Sequence, residues 1–215
     1  EVLVNEQPVT KAGQLVPADA VIRVKQPPKF VSRGGFKLEG ALDHFGIHVK
    51  GKVCLDVGAS TGGFTDCLLQ RGAQKVYAFD VGTNQLVWKL RSDPRVIARE
   101  NFNVRHMQRT DVAEPVDLIV ADVSFISLTL VLPPAFQALK SGGEAVVLIK
   151  PQFELSKDDV AKGGIVRAPE LHAKACRKIE DFAKCQAGWT WRGLTESPIQ
   201  GTDGNREFLA WISRS

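Results

Sequence analysis

Short apolar runs recur through the middle of the chain, each closed by an acidic, basic or glycine residue. Val53–Val57, Val76–Asp80, Val96–Arg99, Leu118–Asp122 and Ala145–Lys150 read as strands that alternate with helical stretches. Ahead of them, apolar positions at Phe36, Leu38, Ala41, Leu42 and Phe45 have helical spacing; the pattern predicts a helix capped from Ser32 and ended by Gly46. A long basic helix over Pro169–Lys184 precedes two more strands, Trp189–Thr195 and Phe208–Ser213, expected as an antiparallel hairpin at one edge. The order predicts an α/β fold: a doubly wound, mostly parallel, Rossmann-like sheet of seven strands.

Residues 1–24 have a different pattern. Their β-branched runs are broken by Asn5-Glu6-Gln7-Pro8, Lys11-Ala12-Gly13 and Pro17-Ala18-Asp19, which predicts a small hairpin-like element. Residues 25–31, containing Pro27 and Pro28, read as a stiff linker, and 32–215 as the main body. With 215 residues and 44% apolar content the chain can bury one ordinary core. A net charge of +4 is compatible with a nucleic-acid partner without requiring one. No run has membrane-spanning length and no signal peptide is present, so the expected setting is cytoplasmic with no membrane partner. Cys54, Cys67, Cys176 and Cys185 lack any C-x-x-C pair and read as reduced core thiols, with neither zinc nor another metal. The chain starts at Glu1 and has Met107 as its only methionine, which reads as trimming at the amino end.

The segment Leu55–Thr65, LDVGASTGGFT, has the form of strand, glycine-rich turn and helix start, a nucleotide-cofactor turn. Gly58, Gly62 and Gly63 would let a ligand approach bare backbone, with Ala59, Ser60, Thr61 and Phe64 around it. Asp56 adds negative charge at the strand end, which repels a pyrophosphate and attracts a cation. A phosphate-binding loop would need a lysine where Phe64 stands, and the spacing departs from G-x-G-x-x-G. S-adenosylmethionine, cationic and without phosphate, fits better. Asp80 at the next strand end can accept from both ribose hydroxyls of an adenosine. Asn101, after the third strand, can either read the adenine edge or bond its own backbone in a turn. A plainer reading of the turn is that its glycines only permit close packing of helix on strand.

The fourth strand bears on the reaction. Asp122-Val123-Ser124-Phe125 is not the Asn/Asp-Pro-Pro-aromatic motif of enzymes that methylate a ring amine, and no cysteine is placed for attack on a pyrimidine carbon. A carboxylate at Asp122 and a cation at Lys150 suit an alcohol acceptor, a weak acid that needs a base or a nearby positive charge.

These segments resemble the FtsJ-like RNA ribose 2′-O-methyltransferases, which are class I S-adenosylmethionine-dependent enzymes, and within them the TlyA or hemolysin-A type. GASTGGFT is similar to the G-A-x-P-G-G-W/F-S loop of that superfamily, with Thr61 in the proline position. SRGGFKLEGAL at 32–42, DVSFISL at 122–128, LIKPQFE at 148–154, KGGIVRAPELH at 162–172 and GNREFL at 204–209 carry the closer resemblance. It implies a catalytic set of Lys37, Asp122, Lys150 and Glu207, in which Lys150 takes or electrostatically replaces the hydroxyl proton. Asp122 and Glu207 would orient it, and Lys37 would add positive charge. It further implies that residues 1–24 are the second half of an S4-type RNA-binding element and that the acceptor is cytidine in ribosomal RNA or ribosomal subunits. Lys25, Lys29 and Arg33 then lie where they would contact phosphates, with Arg167, Lys174, Lys178 and Lys184 as weaker candidates. Other readings are a membrane-active hemolysin, a non-catalytic RNA- or ribosome-binding protein on the same fold, and a small-molecule O-methyltransferase. The last would need a metal or a histidine base, for which His44, His48, His106 and His172 show no placement. Monomer and homodimer both remain open.

Overall fold

The computed structural model describes the chain apart from residues 1, 10, 12, 25–27, 162 and 202. Three short strands, β1 (Val2–Val4), β2 (Gln7–Val9) and β3 (Ile22–Val24), form an antiparallel sheet of order β2-β1-β3. The hairpin expected there thus has a third strand.

From residue 30 onward the chain builds one layered unit. Helix α1 (Gly34–Phe45) ends on Gly46 in a left-handed conformation, as its sequence predicts, but Ser32 does not cap it. Its first turn has no side-chain cap, and the Ser32 carbonyl accepts from Gly35 N–H. After it come β4 (Val53–Val57), α2 (Gly63–Gln70), β5 (Lys75–Phe79), α3 (Trp88–Arg91), β6 (Val96–Arg99), β7 (Val116–Ala121), α4 (Leu128–Phe136), β8 (Leu139–Ile149), α5 (Pro151–Glu154), α6 (Pro169–Lys184), β9 (Trp189–Glu196) and β10 (Phe208–Arg214). The seven-stranded sheet has the order β6-β5-β4-β7-β8-β10-β9. Five strands run parallel, and β10 is antiparallel to both β8 and β9. Strand β8 begins well before the expected Ala145, and α4 contains Pro133 and Pro134, which disguise it as a loop.

Successive residues of the central strands feed two cores. Val53, Leu55, Val57, Ile119, Ala121, Ala145 and Val147 pack with α4 and α6 on one face, while Cys54, Leu118, Val120, Val146 and Leu148 pack with α1 and α2 on the other. Cys54, Cys67 and Cys176 lie in these cores, where burial pushes each thiol up to about 12. Cys185 departs from the expectation: it sits just past the last turn of α6 and is exposed. No helix among the described residues is long and apolar enough to cross a membrane.

The frame sets up the cleft at the strand ends in two ways. Because β10 runs against β8, with Phe208 opposite Ile149, the start of β10 arrives at the same sheet edge as the ends of the parallel strands. The start of α1 is also drawn onto α2: a Cβ on Gly63 would lie 2.2 Å from Ser32 Oγ and 2.9 Å from Gly35 N. Gly63→Ala should therefore force the two helix starts apart and lower stability by about 1–3 kcal/mol, the usual range for overpacking, as read by urea denaturation. An unchanged midpoint would show that the helices do not need this approach.

Candidate active site

The turn after β4 crosses the sheet between β5 and β7, tied down on both sides. Gly58 N–H donates to Phe79 O at 2.8 Å, and Asp122 N–H donates to Val57 O at 3.0 Å. Beside it opens a cleft of about 910 Å³ whose lining includes Gly58, Ser60, Phe79, Asp80, Val81 and Phe102. Asp80 is held rigidly there: its Oδ2 accepts from Ser60 N–H at 2.8 Å and its Oδ1 from Gly82 N–H at 2.7 Å. Each oxygen keeps a lone pair for a ligand hydroxyl.

Asp56 lies underneath the turn, not on it. Its side chain is fully buried, Oδ2 accepts from Thr65 Oγ1 at 2.6 Å, and Oδ1 has no hydrogen-bond partner among the described residues. Burial, with the negative charges of Asp122 and Asp80 adding to it, pushes this carboxyl up to about 7 against the opposing Thr65 hydrogen bond. The fixed charge expected at the strand end is thus a titratable one. A cationic ligand above the turn would favour its ionised form.

A second cleft, of about 580 Å³, shares Gly58, Ser60, Asp122, Ser124, Phe125, Gln152 and Phe153 with the first. All four residues of the proposed catalytic set line it. Lys150, the residue after β8, places Nζ 2.6 Å from Asp122 Oδ1 and donates to Ser124 Oγ at 2.8 Å. Lys37, in the first turn of α1, places Nζ 2.5 Å from Glu207 Oε2, which stands just before β10. Both lysine side chains are about nine-tenths buried, so each needs its carboxylate. Phe125 projects beside them, 91% exposed, with φ of +63° and its ring 5.0 Å from that of Phe153.

Other expected residues fall in different places. Ala59, Ser60, Thr61, Gly63 and Phe64 line the second cleft; Gly62 does not. With φ of +104° it faces Leu86 and Leu90 instead, so at this position the packing reading of the glycines is the correct one. Asn101 lines neither cleft: it is exposed, left-handed, and accepts from Thr83 Oγ1 at 2.6 Å, which favours its turn role over reading an adenine. Arg33 lines the second cleft and donates to Gln200 O at 2.7 Å. Lys29 lies outside the cleft lining and pairs with Glu39, and Lys25 lies outside the described residues. Lys174, Lys178 and Lys184 pair with Asp159, Glu154 and Glu180. Ser124, Phe125, Gln152 and Phe153 went unpredicted. The available signal was their position two or three residues beyond Asp122 and Lys150, at the strand ends where such sheets bind ligands.

The sequence model of the FtsJ-like methyltransferase family matches residues 30–214. The chain belongs to that family. Hemolysin A of Brachyspira hyodysenteriae is 48% identical over 211 residues, covering 97% of this chain and 87% of its own. The 16S/23S rRNA (cytidine-2′-O)-methyltransferase TlyA of Mycobacterium tuberculosis is 47% identical over 183 residues, 85% of this chain and 68% of its own. Among solved structures, a hemolysin-named protein of Lactococcus lactis superposes with a TM-score of 0.83 at 50% identity, covering 86% of this chain and 89% of that one.

Asp56 offers a test of this FtsJ-like site through pH. Its folded-state carboxyl binds a proton more tightly than in the unfolded chain, whose value is near 3.8. The associated stability is therefore present below about pH 4 and lost as pH rises toward 7. Asp56→Asn, neutral throughout, should gain on the wild type between pH 4 and 7 by at most about 1.4 kcal/mol per pH unit. Parallel stability profiles for the two proteins would contradict this.

Proposed function

We propose that the chain transfers a methyl group from S-adenosylmethionine to the 2′-hydroxyl of cytidine in ribosomal RNA, acting in the cytoplasm, with residues 1–24 as part of an S4-like RNA-binding element ahead of a methyltransferase domain. The observation that carries this reading is the convergence of the Lys150–Asp122 and Lys37–Glu207 pairs on one cleft that shares Gly58, Ser60, Asp122 and Gln152 with the cofactor cleft. The acceptor nucleotide is taken from the TlyA relative's name.

The cofactor cleft fits the donor. Asp80 keeps lone pairs for ribose hydroxyls, Phe79, Val81 and Phe102 give the cleft apolar surface, and the unpartnered Asp56 oxygen supplies negative charge beneath the turn. When bound, S-adenosylmethionine supplies an electrophilic methyl group on a cationic sulfur. Lys150 does the work on the acceptor side. A ribose hydroxyl is a very weak acid, and the Lys150 ammonium lays positive charge where its oxygen becomes negative. With Lys150 already protonated, the hydroxyl proton passes to the Asp122 carboxylate beside it, while Ser124 holds Nζ in place. Lys37, steadied by Glu207, adds a second positive charge to the same cleft. Phe125 presents an open ring against which the acceptor base stacks, orienting the sugar toward Lys150. Membrane lysis has no comparable convergence of side chains behind it.

Lys150→Ala should reduce methyl transfer to unmodified ribosomal RNA by roughly 100-fold or more, while calorimetric binding of S-adenosylmethionine changes little. Transfer near the wild-type rate would reject the assignment. Phe125→Ala should raise KM for RNA about tenfold with cofactor binding intact; an unchanged KM would remove the stacking role.

A further inference from the structure

Two aromatic side chains among the described residues stand far out into solvent: Phe125 and Trp88, the latter 77% exposed. Phe125 belongs to the acceptor cleft. Trp88 lines neither cleft, and an indole left in water is a large apolar surface without a partner. It opens α3, and α3 is pinned to the cofactor turn. Val87 N–H donates to Thr61 O at 3.3 Å, and Leu90 and Leu86 stand so close to Gly62 that a Cβ there would lie 2.2 and 2.8 Å from their methyl groups. Thr61 itself lines the acceptor cleft. Trp88 therefore sits just across the turn from the cleft that Phe125 flanks.

A lysine follows Trp88 in the chain. Lys89 has a side chain 73% exposed, and its Nζ lies 3.8 Å from Asp66 Oδ1. The other Asp66 oxygen accepts from Val31 N–H at 2.9 Å, and Gln70 joins Asp66 to the Lys29 carbonyl. Asp66 thus ties Lys89 of α3 to Val31 and, through Gln70, to Lys29, in the segment that leads to Arg33 at the cleft. An exposed aromatic ring with an exposed lysine following it in the chain can hold an unpaired nucleotide, by stacking on the base and attraction to its phosphate.

We propose that Trp88 is a second stacking site for the RNA strand, taking an unpaired base near the acceptor nucleotide while Lys89 meets its phosphate. This rests on RNA being the substrate of the proposed reaction. Trp88→Ala should raise KM for ribosomal RNA about tenfold and leave kcat at saturating RNA and cofactor affinity unchanged. Trp88→Phe should restore most of the loss, and Lys89→Ala should lower the salt slope of RNA binding by about one. A readout independent of turnover is fluorescence: a single-stranded oligoribonucleotide should quench an emission component of the wild type that Trp88→Phe lacks. If the wild type methylates RNA with the same KM as Trp88→Ala, the proposal fails while the function stands. If the wild type transfers no methyl group, the function fails, and the quenching titration still decides for or against RNA at Trp88. Enhanced, blue-shifted Trp88 emission with anionic phospholipid vesicles, and no response to RNA, would assign the surface to a membrane and overturn the proposal.

Discussion

Two lysines in this FtsJ-like chain stand largely out of water, and a carboxylate beside each makes that tolerable. An unpaired ammonium at either position would lose several kcal/mol of hydration, and the cleft would be expected to rearrange around it. Pairing Lys150 with Asp122 and Lys37 with Glu207 keeps two positive charges in one cavity. The rest of the molecule can be read as the means of bringing those four residues together. Parallel β7 and β8 deliver Asp122 and Lys150 as neighbours at one sheet edge, and the reversed direction of β10 delivers Glu207 to the same edge. Lys37 comes from outside the sheet, carried by a helix that can approach only because Gly63 has no side chain.

The same edge joins donor and acceptor. Asp122 and Gln152 line both clefts, so the two ligands would meet at the ends of β7 and β8. Glu154 secures the loops that frame this junction. It accepts from Leu128 N–H at the start of α4, from Ser127 Oγ, and from Lys178 of α6, which binds the segment after Phe125 to the segment after Lys150. A rigid setting for Phe125 and Lys150 is what a reaction limited by alignment requires.

The parallel strands were legible because buried strands are apolar runs with sharp ends, and the turn after β4 was legible because a cluster of glycines between a strand end and a helix start marks a tight βα turn. The catalytic set came from family resemblance; spacing alone could not have joined Lys37 to Glu207 across 170 positions. Helix α4 was hidden by Pro133 and Pro134, whose local signal is a break although the surrounding apolar residues hold the helix in the core. Asp56 and Gly62 were read as ligand contacts because a sequence places them in the turn but does not say which way they face. Asp56 faces down into the α2 side of the core, and Gly62 faces α3. Lys178 looked like a surface cation for RNA because Glu154, its partner, lies 24 residues away on another element. The readings of Asp56, Gly62 and Lys178 turned on direction or long-range pairing, which local pattern does not encode.

The central claim is that the acceptor is a ribose hydroxyl and not a base. It is tested most directly by labelling unmodified ribosomal RNA with methyl-tritiated S-adenosylmethionine and this enzyme, then hydrolysing the RNA in alkali. A 2′-O-methyl group blocks attack on the neighbouring phosphodiester, so a ribose acceptor predicts label only in alkali-stable dinucleotides with cytidine on the 5′ side. Label recovered in ordinary mononucleotides would place the methyl group on a base and contradict it.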